Sequence, residues 1–230
     1  MCPSDDERGI SMPLIMQDRA LFLKIYEILN DYYGDLHWWP SNSPFEVIVG
    51  AILTQNTAWK NVEKAIGRLK SEGLLHPAKL LHANDAQLAE LIRPSGYYWI
   101  KTKRLKAFLY FLDREYKGNL DIFLAEDLWT ARKKLLSIHG IGEETADSIL
   151  LYAAGKPIFV VDAYTRRIMQ RHQLIDENLR YSEIQSLFIT NPLRETIFYN
   201  QYHALLVNVG KQFCRKRNPK CEICPLQSLH

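Results

Sequence analysis

Three groups of residues in this chain have types and spacings that could do chemistry. The first is Asp162, which follows the apolar run Ile158-Phe159-Val160-Val161 and precedes a stretch of helical pattern. An Asp in that place can cap the helix it precedes. It can also be a carboxylate held at the mouth of a cleft, able to steady positive charge or take a proton from water. The second is Gly140-Ile141-Gly142-Glu143-Glu144, where an apolar helix ends, a glycine turn follows and a new helix begins. Glycines permit a tight turn, and Ile141 can tuck between the two helices. The second helix presents unpaired N–H groups and a positive dipole end, which suit a phosphate. Such a contact positions a protein on nucleic acid without reading its sequence; the plainer alternative is a helix–turn–helix joint. The third is the tail: Cys214, six residues, Cys221, two residues, Cys224, five residues, His230. These read as a metal or cluster site before they read as disulfides. A Cys3His set suits structural zinc. Cys2 stands apart.

The elements that must position these groups are helices. Apolar residues recur at three and four over Ala20 to Tyr33, Phe45 to Leu53, Trp59 to Leu69, Lys101 to Tyr116 and Leu128 to Ile138. No strand alternation or Asn-Gly hairpin turn interrupts them. Breaks fall at Pro40, Pro44, Gly73, Pro94 to Gly96, Gly118 and Pro157. The expected fold class is all-α. The 47% hydrophobic and 24% charged residues among 230 suit an ordinary globular protein with a sizeable core. No apolar run approaches the ~20 residues of a membrane span, and the acidic start lacks the pattern of a secretory signal. The expectation is an intracellular (cytoplasmic) monomer with no membrane partner. The net charge of +3 is mild. Its distribution is clustered, at Lys101/Lys103/Arg104/Lys106, at Arg166/Arg167/Arg171 and at Lys211/Arg215/Lys216/Arg217/Lys220, which points to phosphates or to solvated helix faces.

The hairpin, the Val160-Val161-Asp162 segment and the tail cysteines together resemble the endonuclease III family of helix-hairpin-helix DNA glycosylases, over roughly Trp38 to His230. The closer likeness is to the 3-methyladenine DNA glycosylase III branch. It is carried by Trp38-Trp39-Pro40, Gly50-Ala51-Ile52-Leu53-Thr54-Gln55-Asn56-Thr57, Arg93-Pro94-Ser95-Gly96-Tyr97-Tyr98 and Glu144-Thr145-Ala146-Asp147-Ser148-Ile149-Leu150. The resemblance implies two helical subdomains with a DNA cleft between them. One is a helical barrel over 38–151, with the hairpin in 135–155. The other joins the N-terminal helix within 1–37 to the C-terminal helices of 152–230, with the cysteine cluster loop at 214–230. The partner implied is double-stranded DNA containing a damaged base.

The resemblance also implies roles. Asp162 corresponds to the catalytic aspartate. Glu144 stands where lyase members carry a nucleophilic lysine; neither it nor Glu143 can form an imine, so the chain looks monofunctional. Glu144 also suits the first turn of a helix on dipole grounds alone. Trp38 and Phe45 match the positions that stack on a flipped base, and Trp39 is a pocket candidate beside them, with core packing as the alternative. Tyr97, Tyr98 and Trp99 are further pocket candidates, with core packing as the alternative. Gln55 matches the residue that plugs the gap left by the base, with Asn56 beside it, or else caps a turn. Gly140, Ile141 and Gly142 meet the DNA backbone, as do Arg215, Lys216 and Arg217. The cluster implied is [4Fe–4S] on Cys214, Cys221 and Cys224, with His230 where a fourth Cys is expected. The leading activity is excision of an alkylated purine such as 3-methyladenine. The alternatives are an oxidised-pyrimidine glycosylase with lyase activity, a mismatch thymine or uracil glycosylase, and a non-catalytic DNA-binding scaffold.

Overall fold

The computed structural model describes residues 12–36, 38, 43–189 and 195–229. Among them no strand forms. The helices are α1 Met12–Tyr33, α2 Pro44–Leu53, α3 Trp59–Ser71, α4 Pro77–His82, α5 Asp85–Leu91 and α6 Tyr98–Tyr116. They continue with α7 Leu120–Ala125, α8 Leu128–Leu136, α9 Glu143–Ser148, α10 Ala163–Arg171, α11 Tyr181–Phe188 and α12 Thr196–Gln212. A 3-10 turn occupies Arg93–Ser95, and a π turn at Ile149–Ala153 continues α9. None of the helices is long and apolar enough to cross a membrane.

The chain divides into two compact units. One comprises His37–Asp162 with Leu193–His203; the other comprises Met1–Leu36, Ala163–Pro192 and Ala204–His230. Beside the sequence-based boundaries, this division sets 152–162 and 193–203 with the barrel segment.

The first unit is built on α2. Ser43 caps it by accepting the Glu46 N–H at 3.2 Å, and Pro44 sits in the first turn, where its missing N–H costs nothing. Phe45 to Leu53 are all buried, and the one charged residue among them, Glu46, is paired with Lys70 at 2.8 Å. Helices α3, α6 and α9 and the π turn pack around it. Val62, Ala65, Ile66 and Leu69 form the inward stripe of α3. Each such aliphatic side chain taken from water stabilises the fold by ~1.5–3 kcal/mol, and Ala by less.

The basic cluster on α6 corrects the sequence expectation. Lys101 is buried, and its Nζ donates to the carbonyls of Leu53 at 2.8 Å and Ser95 at 2.6 Å. Burial pushes its pKa down to about 8. Lys106 likewise donates to the carbonyls of Leu81 and Ala83 at 2.7 and 2.6 Å. These two cations fasten turns from within, Arg104 of the same group is half-buried, and Lys103 is exposed. In the second unit, α1 packs on α11 with Phe22 edge-on to Phe188 at 4.7 Å.

Candidate active site

The hairpin is made by α8, the turn 137–142 and α9. Gly140 has φ +85, which only glycine adopts without strain. A Cβ there would also meet the Arg104 side chain at 2.4 Å. Gly142 differs: its backbone is extended, it is exposed, and a Cβ would meet nothing within 4 Å. Ile141 is 4% exposed and anchors the turn. Across the hairpin, Arg132 of α8 grips Asp147 of α9 with Nε–Oδ1 at 2.7 Å and Nη2–Oδ2 at 3.2 Å. Asp147 is fully buried, so this bidentate pair locks the two helices together.

The turn after α2 is tied to the same hairpin. Gln55 Nε2 donates to the Gly140 carbonyl at 3.0 Å and to Thr145 Oγ1 at 2.9 Å. Its Oε1 accepts from Arg104 Nη1. Asn56, the next residue, is exposed at φ +54.

Asp162 lies at the end of the buried strip Ile158–Val161 and immediately before α10. Its carboxylate Oδ2 stands 3.5 Å from His203 Nε2, and both side chains are largely enclosed. The other face of the imidazole, Nδ1, is hydrogen-bonded to the Tyr152 hydroxyl of the π turn. Burial and the nearby Asp162 charge hold the Tyr152 pKa well above its ordinary value. Glu144 completes the group. Its pKa is raised to about 6, chiefly by the protein around its carboxyl and then by the Asp162 charge. Its side chain still meets solvent, so the carboxyl is recessed rather than sealed. The arrangement is one enclosed carboxylate, Asp162, close enough to a second, Glu144, for its charge to raise that acid's pKa. It can stabilise a cation and handle a proton.

Of the aromatic candidates, Trp38 is half-buried and adjoins Tyr152. Phe45 is 5% exposed in the first turn of α2. Trp39 lies outside the described residues. Tyr97 and Trp99 are 68% and 51% exposed, so they do not fill the core.

The cysteine loop follows α12. Cys214 and Cys224 are buried, Cys221 is exposed, and none forms a disulfide. Among the described residues no three metal-binding side chains converge as a set for one ion; His230 lies outside them. The donor chemistry fits thiolates. Arg171 Nη1 is 3.2 Å from Cys214 Sγ and also donates to the Arg215 carbonyl at 2.7 Å. Arg167 Nε donates to the Cys214 carbonyl at 2.7 Å. Arg166 donates to the Leu179 carbonyl at 2.7 Å. The second basic cluster therefore holds its own unit together. Arg215, Lys216, Arg217 and Lys220 are exposed.

Sequence reasoning missed His203, Tyr152 and Arg132, and gave Arg104 only as one member of a basic cluster. The signal for His203 was a lone polar ring in the apolar face of α12. For Arg132 it was a cation one hairpin away from an Asp with no solvent face.

Residues 49–191 match the HhH-GPD superfamily of base excision DNA repair proteins. Residues 214–229 match the iron–sulfur binding domain of endonuclease III. A Methanocaldococcus jannaschii protein, provisionally named a DNA repair glycosylase, is 49% identical over 211 residues, covering 91% of this chain and 95% of that one. Endonuclease III of Thermotoga maritima is 30% identical over 185 residues, covering 80% and 81%. The crystal structure of H. pylori 3-methyladenine DNA glycosylase bound to 1,N6-ethenoadenine superposes with a TM-score of 0.70 at 29% identity, covering 86% of this chain and 97% of that one.

Proposed function

The chain belongs to the HhH-GPD superfamily of base excision DNA repair proteins, and we propose that it excises an alkylated purine such as 3-methyladenine by hydrolysis alone, with Asp162 as the catalytic carboxylate. The observation that carries this reading is the pairing of an enclosed Asp162 with an acid, Glu144, at the place where lyase members hold a lysine. A glutamate cannot attack the sugar to form an imine, so no route to strand cleavage opens there.

The chemistry then asks little of the protein. The C1′–N bond breaks and its electron pair returns to the base, so a cationic alkylated base leaves neutral. The Asp162 carboxylate stabilises the positive charge that grows on the sugar. Water adds to C1′ and gives its proton to Asp162. Glu144, with its raised pKa, takes a second proton-handling position beside it. Trp38, Trp39 and Phe45 would receive the flipped base, electron-rich rings attracting a cationic one by ~0.5–2 kcal/mol each.

Duplex DNA would be held by the exposed backbone at Gly142 with Gly140 and Ile141, by Gln55 and Asn56 at the lesion, and by Arg215, Lys216 and Arg217. The chain carries the iron–sulfur binding sequence of endonuclease III, and Cys214, Cys221 and Cys224 would hold a [4Fe–4S] cluster, with His230 the fourth ligand in this reading. When bound, such a cluster supplies a rigid thiolate-linked brace for the loop, not redox chemistry at the base.

The test is a panel of duplexes with one lesion each, assayed under single turnover. Release of an alkylated purine ahead of oxidised pyrimidines and mismatched thymine or uracil supports the reading. Preference for thymine or uracil would move the chain to the mismatch branch, and excision of none to the scaffold reading.

A further inference from the structure

Arg104 uses its head group differently from the other enclosed cations. Lys101 and Lys106 donate to backbone carbonyls, Arg132 grips a carboxylate, and Arg167 and Arg171 hold carbonyls of the cysteine loop. The Arg104 head has one hydrogen-bond partner among the described residues, the Gln55 side-chain oxygen Oε1. Among them no carboxylate pairs with it, and its Nε–H is buried without an acceptor. The contact with Gln55 is one side of a closed triangle within the first unit. The Arg104 stem lies directly on Gly140, where an added Cβ would meet its Cγ at 2.4 Å and its Cδ at 2.8 Å. Gln55 Nε2 returns to the Gly140 carbonyl at 3.0 Å and also donates to Thr145 Oγ1 at 2.9 Å. One turn earlier on α6, Lys101 holds the Leu53 carbonyl, two residues before Gln55. Helix α6 thus fixes both the backbone and the side chain of the turn after α2. We propose that Arg104 is a positioning residue for Gln55, holding its amide against the hairpin so that a duplex seated on the hairpin meets Gln55 at one place and in one orientation. This rests on the reading of Gln55 as the residue that fills the gap left by the flipped base.

Donor and acceptor types fix the sense of the amide. A guanidinium only donates, so it takes Oε1; a carbonyl only accepts, so it takes Nε2. Both amide hydrogens are then committed to the hairpin, at Gly140 and Thr145, while Oε1 keeps its second lone pair. A bond from a charged donor is roughly twice as strong as a neutral one, so Arg104 contributes the strongest of the three. Glutamine is among the side chains with most rotamer freedom to lose on being ordered. Without Arg104, two neutral bonds must oppose that entropy, and Gln55 spends much of its time away from the hairpin. A side chain ordered beforehand costs less to engage when the duplex arrives. Since the Arg104 head fastens no carbonyl or carboxylate, its loss loosens Gln55 more than it loosens the fold.

Two measurements test this. The first is the 1H–15N spectrum of the Gln55 carboxamide in the free protein. The parent should show a pair shifted from the positions of free glutamine and slow to exchange with water. Arg104→Met should return the pair to those positions with fast exchange. Free-glutamine behaviour in the parent, or an unchanged pair in Arg104→Met, overturns the proposal. The second is the ratio of affinities for a duplex with one tetrahydrofuran abasic site and for the same duplex undamaged. Arg104→Met should lower that ratio on the order of 10-fold, the scale of one hydrogen bond from a charged donor. Arg104→Lys, which keeps a charged donor, should lower it less. In a Gln55→Ala background, Arg104→Met should change nothing further. Affinity for the undamaged duplex and its salt slope should stay parental. A drop common to both duplexes with a flatter salt slope would make Arg104 a phosphate contact and overturn the proposal, as would an Arg104→Met effect that persists with Gln55→Ala. Should Arg104→Met not fold, Arg104→Gln, which loses the charge, takes its place in both measurements. Gln55→Ala alone separates the two failures: at the parental ratio, the reading of Gln55 falls; at a lowered ratio with Arg104→Met unaffected, only the role of Arg104 falls.

Discussion

Gln55 donates to Thr145 at 2.9 Å, bonding the turn after α2 to the second helix of the hairpin. The same amide donates to Gly140, and Arg104 lies against that glycine. The hairpin glycines therefore have different reasons to be there, and they should separate in experiment. Gly140→Ala forces a left-handed alanine and a clash with Arg104. It should cost ~1–3 kcal/mol of stability and loosen Gln55. Gly142→Ala meets no obstacle, so melting should be unchanged while duplex affinity drops, because the added methyl stands where a phosphate would approach. Equal melting losses for the two would contradict this division.

The Arg132–Asp147 lock gives a stability prediction. Arg132→Leu leaves a fully buried carboxylate without its guanidinium, which should cost ~3–5 kcal/mol. Arg132→Leu combined with Asp147→Leu should recover much of that loss, since no buried charge remains. Urea unfolding at pH 7 checks both; a near-neutral single variant would show that Asp147 is satisfied elsewhere.

Glu144 predicts a dependence on pH. Its folded pKa, about 6, lies above the ordinary 4.5. The folded state thus holds this proton more tightly than the unfolded chain does. The associated stability is complete below pH 4.5 and is lost as pH rises to about 6. Glu144→Gln cannot lose a proton. It should match the parent at pH 4 and melt higher above pH 6, by under about 1 kcal/mol because solvent screens an exposed side chain. A variant less stable than the parent at pH 8 would reverse the sign and the account. The same residue predicts no borohydride-trapped complex with abasic DNA.

For the tail, metal analysis of the purified protein with its visible spectrum is the check. A brown protein with about four irons per chain is expected. One zinc in a colourless protein would make it a structural zinc site. Affinity for undamaged duplex should fall with salt at a slope of about −0.9 per phosphate neutralised. Replacing Arg215, Lys216 and Arg217 together should flatten that slope.

The helices were legible because their apolar residues repeat at three and four, as in Val62, Ala65, Ile66 and Leu69 of α3. The hairpin was legible in its glycines, although only Gly140 needs to be glycine for the backbone. The site was half legible. Asp162 stands out by residue type and by its distance from the hairpin, and Glu144 by its place within it. His203 lies 41 residues beyond Asp162, and Tyr152 lies on a π turn that no periodicity announces. Their partnership arises only from packing. The first two charge clusters misled for the same reason: a cation's spacing does not tell whether it meets a phosphate or, like Lys101, two carbonyls.

The most direct test is a single-turnover assay on a duplex bearing the preferred alkylated purine, analysed with and without hot alkali, for the parent and for Asp162→Asn. The account predicts strand breaks from the parent only after alkali, since the base is lost but the sugar is not attacked by an amine. It predicts none from Asp162→Asn, with duplex binding retained. Strand breaks from the parent without alkali, or excision by Asp162→Asn within a few-fold of the parent, would contradict it.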